Sequence, residues 1–427
     1  MLELPLDNAY CNRKMESCRA HLRAQCFEAQ ENKNMAVECY TECVQKDLTN
    51  VEAFTRLVDC QLLSGAQKKK LLDGLVFGPE EGWLKKIYLS KIRSVEDVGA
   101  AEGEEVRKEN MFDLLVAKDN IHILCIRAKT LYQNYQIPAA YELCLKAIKK
   151  DPLCFEILPV YATCLLDLNL TAELYYCAHN LVENYSSHPV SWFAVGTYYF
   201  HCKKFEIARK YFQKAIILDK SFLFAWIGMA HSFAVQDESD QAMSIYRTIV
   251  RLFPGCAQAH LYMGMEYLRT NNLKTATLAL LKGREINPSD PLIYSELGVI
   301  HYKQKNYKEA KKNHQEALQL CQSDCSFWVM ETILTNLAQA ERKLKEYKNA
   351  IGHLEQCVSL NASNPQTYFS LGFIYHLSGQ LSKAISYYHK SLKFKHDNQF
   401  AQDMLQKALT DASELPWDNV NNGKYKT

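Results

Sequence analysis

The side chains in this sequence that could do chemistry are first its 16 cysteines and 13 histidines, and their spacing decides what they can do. A structural zinc site needs paired cysteine or histidine ligands at metal-type spacing. The closest cysteine pairs, Cys39/Cys43 and Cys321/Cys325, sit four apart, as neighbours on one helix face do, and read as buried reduced thiols. No His-Glu-x-x-His pair, Gly-x-Ser-x-Gly elbow, Gly-rich phosphate loop or kinase motif set occurs. His231 and His301 fall at packing or groove positions of helices, and His188 precedes Pro189 as a turn residue would. The chain therefore offers no catalytic residue, no metal ligand set and no cofactor motif. The chemistry left to it is non-covalent recognition.

Charge narrows the partner. A formal net charge of +2 gives no global field for nucleic acid, which needs a clustered excess of Lys and Arg. The basic stretches at residues 68–70 and 85–93 have two readings, a nuclear-import or nucleic-acid patch and a solvated helix with Ile87, Leu89 and Ile92 turned inward, of which the second is favoured. The start, MLELPLDNAYCNRK, lacks a charged segment followed by an apolar core, and no run approaches the length that crosses a bilayer. The expectation is a chain in the nucleus and cytoplasm, with no membrane partner and with sequons at Asn169, Asn184 and Asn361 that carry no sugar.

The elements that must present a recognition surface follow from a 34-residue period. Small residues recur at the eighth position of each unit: Ala128, Ala162, Gly196, Ala230, Gly264 and Gly298. The twentieth reads Ala140, Leu174, Ala208, Ala242, Ala276 and Ala310. Small residues there allow two helices to cross closely, and large ones such as Tyr199 with Phe212 and Phe233 with Tyr246 fill the space between. After Ala317 the phase slips by six residues and resumes at Leu334, Ala338, Ala350 and Leu354, then at Tyr368, Gly372, Ala384 and Tyr388. Upstream, Ala24, Phe27, Ala36 and Tyr40 mark one more unit, and Phe54 opens a degraded one.

This divides the chain into an amino-terminal block (17–94), an acidic linker (95–112), a main solenoid of about eight repeats (113–396), a capping helix (397–412) and a polar tail (413–427). The pattern resembles the tetratricopeptide-repeat (TPR) consensus, which residues 192–215 nearly spell out. The expected fold is all-α: a right-handed superhelical TPR solenoid of antiparallel helix pairs, each stabilised by stacking on its neighbours around a concave groove.

In TPR proteins the groove is lined from the first helix of each pair. Those positions give Phe193, Thr197, Phe200, Ile227, His231, Leu261, Met265, Leu268, Val299, Tyr302, Phe369 and Phe373. So apolar and aromatic a lining suits an extended or helical peptide. A carboxylate clamp would place Lys, Asn and Arg where Phe193, Ile227 and Leu261 stand, and a sugar-transferase groove would carry an Asn ladder where only Asn336 occurs.

Three runs go beyond the bare consensus: PVSWFAVGTYY from Pro189, AWIGMAHSFAVQDESDQAM from Ala225 and LYMGMEYLRTNN from Leu261. With these the chain, from about Glu16 to Lys407, resembles the cell-division-cycle 16 family of TPR scaffold subunits in the anaphase-promoting complex, or cyclosome. The resemblance implies a non-catalytic arm of a ubiquitin ligase that supports destruction of mitotic regulators, partnered by other cyclosome subunits. It also implies a small accessory subunit enclosed in the carboxy-terminal part of the groove. Family members carry further repeats ahead of the part matching Glu16, and these form the homodimer interface, so homodimerisation by that route is not expected of this chain. The alternative reading is a TPR peptide-binding adaptor outside the cyclosome, and the groove residues discriminate between the two.

Overall fold

A computed structural model describes residues 8–78, 81–92, 120–321 and 325–413. The acidic linker and nearly all of the polar tail lie outside them. The chain divides into two compact units, Met1–Pro288 and Ser289–Thr427.

The first unit opens with α1 (Asn8–Ala29) and α2 (Lys33–Lys46), then α3 (Val51–Asp59), α4 (Gly65–Asp73) and α5 (Gly82–Ile92). Helix pairs follow at the repeat period: α6 (Ile121–Gln133) with α7 (Ile137–Lys150), and α8 (Leu158–Asp167) with α9 (Thr171–Tyr185). Next come α10 (Pro189–His201) with α11 (Phe205–Leu218), α12 (Leu223–Ala234) with α13 (Ser239–Leu252), and α14 (Ala257–Arg269) with α15 (Leu273–Ile286). The second unit contains α16 (Pro291–Lys303), α17 (Tyr307–Leu320), α18 (Phe327–Lys343), α19 (Tyr347–Leu360), α20 (Pro365–Leu377), α21 (Leu381–Phe394) and α22 (Gln399–Ser413). No strand occurs among the described residues.

The turn inside each pair recurs in the backbone as strictly as in the sequence. Positive φ falls at Tyr135, Asn169, Lys203, Asp237, Asn271, Lys305, Lys345 and Gly379, with one longer interval, between Lys305 and Lys345, where the phase slips. A left-handed non-Gly residue costs about 1 kcal/mol. The gain is a closed helix end: the Gln136 amide donates to the Leu131 carbonyl at 2.9 Å and that of Lys204 to Tyr199 at 3.0 Å, satisfying carbonyls that would otherwise be orphaned. In the degraded unit the same motif comes early, at Gln61 (φ 47°), so α3 is short.

Packing explains the small residues. A Cβ on Gly196 would lie 2.6 Å from the Phe212 ring, and one on Gly298 would lie 2.5 Å from His314 Cε1. The large ring from the second helix thus occupies the volume that the small residue leaves on the first, and removing such a ring costs about 3–5 kcal/mol. The aromatic that opens many first helices has a second task. Trp192 Nε1 donates to the Ser186 carbonyl at 2.8 Å, Trp226 Nε1 to Lys220 at 3.0 Å and Tyr368 Oη to Ala362 at 3.0 Å, fastening each helix to the preceding turn.

One sequence expectation changes. Cys321 caps the end of α17 and Cys325 precedes α18, so this pair does not share a helix face, because the inserted segment separates two helices. Cys39 and Cys43 do share one, both buried on α2. The amino-terminal block also packs on later repeats of the first unit. The Gly255 amide donates to the Gln61 carbonyl at 2.8 Å, and Gly65 sits close enough to Ile286 that a Cβ would lie 3.1 Å from its carbonyl oxygen. Glu31 adds ion pairs to Lys220 and Arg251, each at 3.5 Å. Exposed as they are, these contribute little, and backbone apposition carries the contact.

Candidate peptide groove

The two units present their first-helix faces separately. In the first unit the early part of that face is polar. Lys129 on α6 pairs with Glu156 at 2.9 Å, and Tyr132 Oη donates to Asp167 at 3.2 Å. Burial pushes the Asp167 carboxyl up to about 6, although the tyrosine bond favours its charged form. Cys125 and Cys154 place their sulfurs 3.5 Å apart, and burial raises the Cys125 thiol, which stays protonated.

Further along, the apolar positions divide by exposure. Phe193 is 2% exposed, its ring ringed by Phe212, Phe222 and Phe224 at 5.5–5.9 Å between centroids. Thr197 is buried, and its hydroxyl is spent on the Phe193 carbonyl at 2.9 Å. Leu261 and Leu268 are buried too. These four are core rather than lining; around Phe193 the reason is visible, since Phe222 and Phe224 of the next repeat close over it. Phe200, Ile227 and His231 are half-buried, and Met265 is exposed. Phe200 meets Phe205 edge-on at 5.3 Å. The His231 imidazole shares a 2.9 Å hydrogen bond with Tyr246 Oη through Nδ1 and meets the Tyr262 ring at 4.4 Å. Burial pushes it down to about 4, so it is a neutral structural histidine at physiological pH.

In the second unit, Val299, Tyr302 and Phe373 are half-buried and Phe369 is buried. Phe369 packs against Tyr388 at 5.7 Å and against Phe400 of α22 at 5.3 Å, with Phe400 itself 60% exposed. Between Tyr302 and Phe373 lies Arg342 of α18. Its Nη2 donates to Tyr302 Oη at 3.3 Å, its Nε donates to Gln339 Oε1 at 2.9 Å, and its guanidinium carbon sits 5.2 Å from the centre of the Phe373 ring. Asn336 Nδ2 reaches Ser295 Oγ at 3.5 Å. Burial raises the Glu296 carboxyl to about 7, with Lys303 pulling it back only in part.

Arg342 and Phe400 are the lining residues that the sequence reading passed over. Arg342 occupies the same place in its repeat as Tyr302 and His376 do in theirs, so the register, carried through the six-residue slip, points to it. Phe400 has no such signal, because α22 reads as a cap. There His376 Nε2 meets Asp411 at 2.8 Å, tying the cap to the last first helix. No group of three or more His, Cys, Asp or Glu side chains among the described residues is placed to hold a metal ion, and no described helix is long and apolar enough to cross a membrane.

Comparison with known proteins places this geometry. Tetratricopeptide-repeat family models match residues 189–222, 290–363 and 365–398. The anaphase-promoting complex subunit 6 of Arabidopsis thaliana is 38% identical over 405 residues, covering 93% of this chain and 74% of the relative. The cell division cycle protein 16 homolog of Homo sapiens is 34% identical over 392 residues, covering 90% of this chain and 62% of the relative, so the chain spans less than two thirds of the human protein. Among solved structures, a chain in the crystal structure of the APC/C hetero-tetramer Cut9-Hcn1 superposes with a TM-score of 0.76 at 28% identity. That match covers 92% of this chain and 76% of that one.

Proposed function

This chain belongs to the anaphase-promoting complex subunit family that includes subunit 6 and the cell division cycle protein 16 homologues, and from that premise we propose that it is a non-catalytic scaffold subunit of that ubiquitin ligase. Its first-helix face holds a small accessory subunit, and the assembly it supports marks mitotic regulators for degradation in the nucleus and cytoplasm. One observation carries the reading: the extensive superposition on a chain from a complex that contains a second, differently named component, Hcn1. The exposed and half-exposed apolar side chains Met265, Ile227 and Phe373 on first helices, and Phe400 on the cap, support it, since accessible apolar surface of this kind is what a bound segment covers.

The test is affinity purification of the tagged chain from dividing cells, with mass spectrometry of what accompanies it at low salt. Recovery of cullin-like and RING-type ligase subunits with other TPR chains is the expected result. Recovery of unrelated clients without any ligase subunit overturns it and leaves a TPR adaptor of another kind.

A further inference from the structure

Glu341 and His376, on the second unit's first helices, each have an opposite charge at hand, and Arg342 does not. His376 faces Asp411, and Lys311 faces Glu341 and Glu346, whereas no carboxylate among the described residues comes within ion-pair distance of Arg342. A guanidinium carries five N–H donors in a rigid fork. Two of these are used, on Gln339 and Tyr302, and both bonds fix the orientation of the fork. The Phe373 ring beneath it and the half-buried setting exclude part of its water. A partly desolvated, pre-oriented cation with unused donors strongly favours a carboxylate.

We propose that Arg342 is the charge-reading residue of this groove and that the bound segment is an acidic, apolar peptide whose Asp or Glu side chain docks on it. This rests on the peptide-holding role proposed above. A side-chain carboxylate fits better than a chain terminus, because a terminus clamp converges several cationic and amide donors, whereas the groups in contact with Arg342 are the Gln339 amide oxygen, the Tyr302 hydroxyl and the face of the Phe373 ring. The chain runs past Arg342 with apolar residues on Phe373 and Phe400.

The test uses the full chain and Hcn1 as the probe, titrated by calorimetry. Each Asp and Glu of the probe is replaced in turn by its amide, and one further probe is amidated at its carboxy terminus. Arg342→Gln is expected to weaken binding roughly tenfold to a hundredfold, and Arg342→Lys to recover part of that. One amide replacement in the probe should weaken binding to the unaltered chain by the same factor and have no effect on the Arg342→Gln chain. That probe-side arm leaves this protein untouched, so misfolding of a variant cannot mimic it. If the unaltered chain binds and Arg342→Gln binds equally well, the charge-reading role is overturned while the groove stands. Dependence on the probe's terminal carboxylate alone overturns the side-chain assignment. Absence of any binding to the unaltered chain overturns the peptide-holding role and this proposal together.

Discussion

The backbone of Gly255 lies directly on the backbone of the segment that begins at Gln61: its amide donates to the Gln61 carbonyl at 2.8 Å, and a Cβ at Gly255 would fall 2.2 Å from the Leu63 carbonyl oxygen. Nothing flexible stands in the way to move aside, so only glycine fits. Through this contact the degraded amino-terminal repeat is seated on the turn after α13 and shares in the stability of the first unit.

Gly255→Ala is therefore expected to destabilise the first unit by about 1–3 kcal/mol and to open the segment around residues 61–65 to protease and amide exchange. Gly352 is the control. It lies within α19 with nothing in reach of a Cβ, so Gly352→Ala should raise stability by about 0.5–1 kcal/mol through helix propensity. Equal effects at the two positions would show that the close approach is not decisive.

The crossing of α10 and α11 makes a second prediction. Gly196→Leu forces a side chain into the Phe212 ring and should lower the melting temperature, at about 1–3 kcal/mol. The compensating pair Gly196→Ala with Phe212→Leu should recover part of that loss, whereas Phe212→Ala alone leaves a cavity costing about 3–5 kcal/mol. Simple additivity between positions 196 and 212 in a double-mutant cycle would contradict the contact.

Two histidines of the second unit should respond to pH in opposite senses. His314 is 1% exposed, and burial pushes its imidazole down to about 4 from an ordinary 6.5. The unfolded chain takes up the proton first, so this contribution is complete above pH 6.5 and is lost as pH falls towards 4, at about 3 kcal/mol in total. His353 is raised, chiefly by the Glu341 carboxylate, whose Oε1 lies 3.6 Å from its Nε2. Its contribution is complete below pH 6.5 and is lost as pH rises through its folded value. Urea midpoints measured against pH should lose the acid-side slope in His314→Leu and the opposing slope in His353→Gln. Unchanged slopes in both would refute these assignments.

Substitutions along the first helices should separate lining from core. Met265→Asp and Phe373→Asp place a charge on the accessible face and are expected to abolish capture of the small subunit while the circular dichroism spectrum stays that of the parent. Leu261 is fully buried, so Leu261→Asp should instead cost several kcal/mol of folding free energy and lose helix signal. Retained capture by Phe373→Asp would remove the second unit's face from the candidate groove.

Much of the architecture is a local matter and was readable in the chain. The 34-residue phase, its slip after Ala317, the small residue facing a large ring at Gly196 and Phe212, and the capping helix from Gln399 all depend on residues within one or two repeats of each other. Such neighbours meet however the rest of the solenoid is arranged. The runs at Pro189, Ala225 and Leu261 carried the family for the same reason. What the tertiary structure alone decided was exposure. Phe193 and Leu261 occupy equivalent repeat positions to residues expected to face a partner, yet neighbouring repeats close over them, while Arg342 and Phe400 come to the surface of the second unit's groove. The seating of Gln61 on Gly255 is equally absent from any periodic pattern. The first depends on how the rings of adjacent repeats pack, which the period does not specify, and the second on contact between segments far apart in the chain, whose approach is set by small rotations accumulated from repeat to repeat.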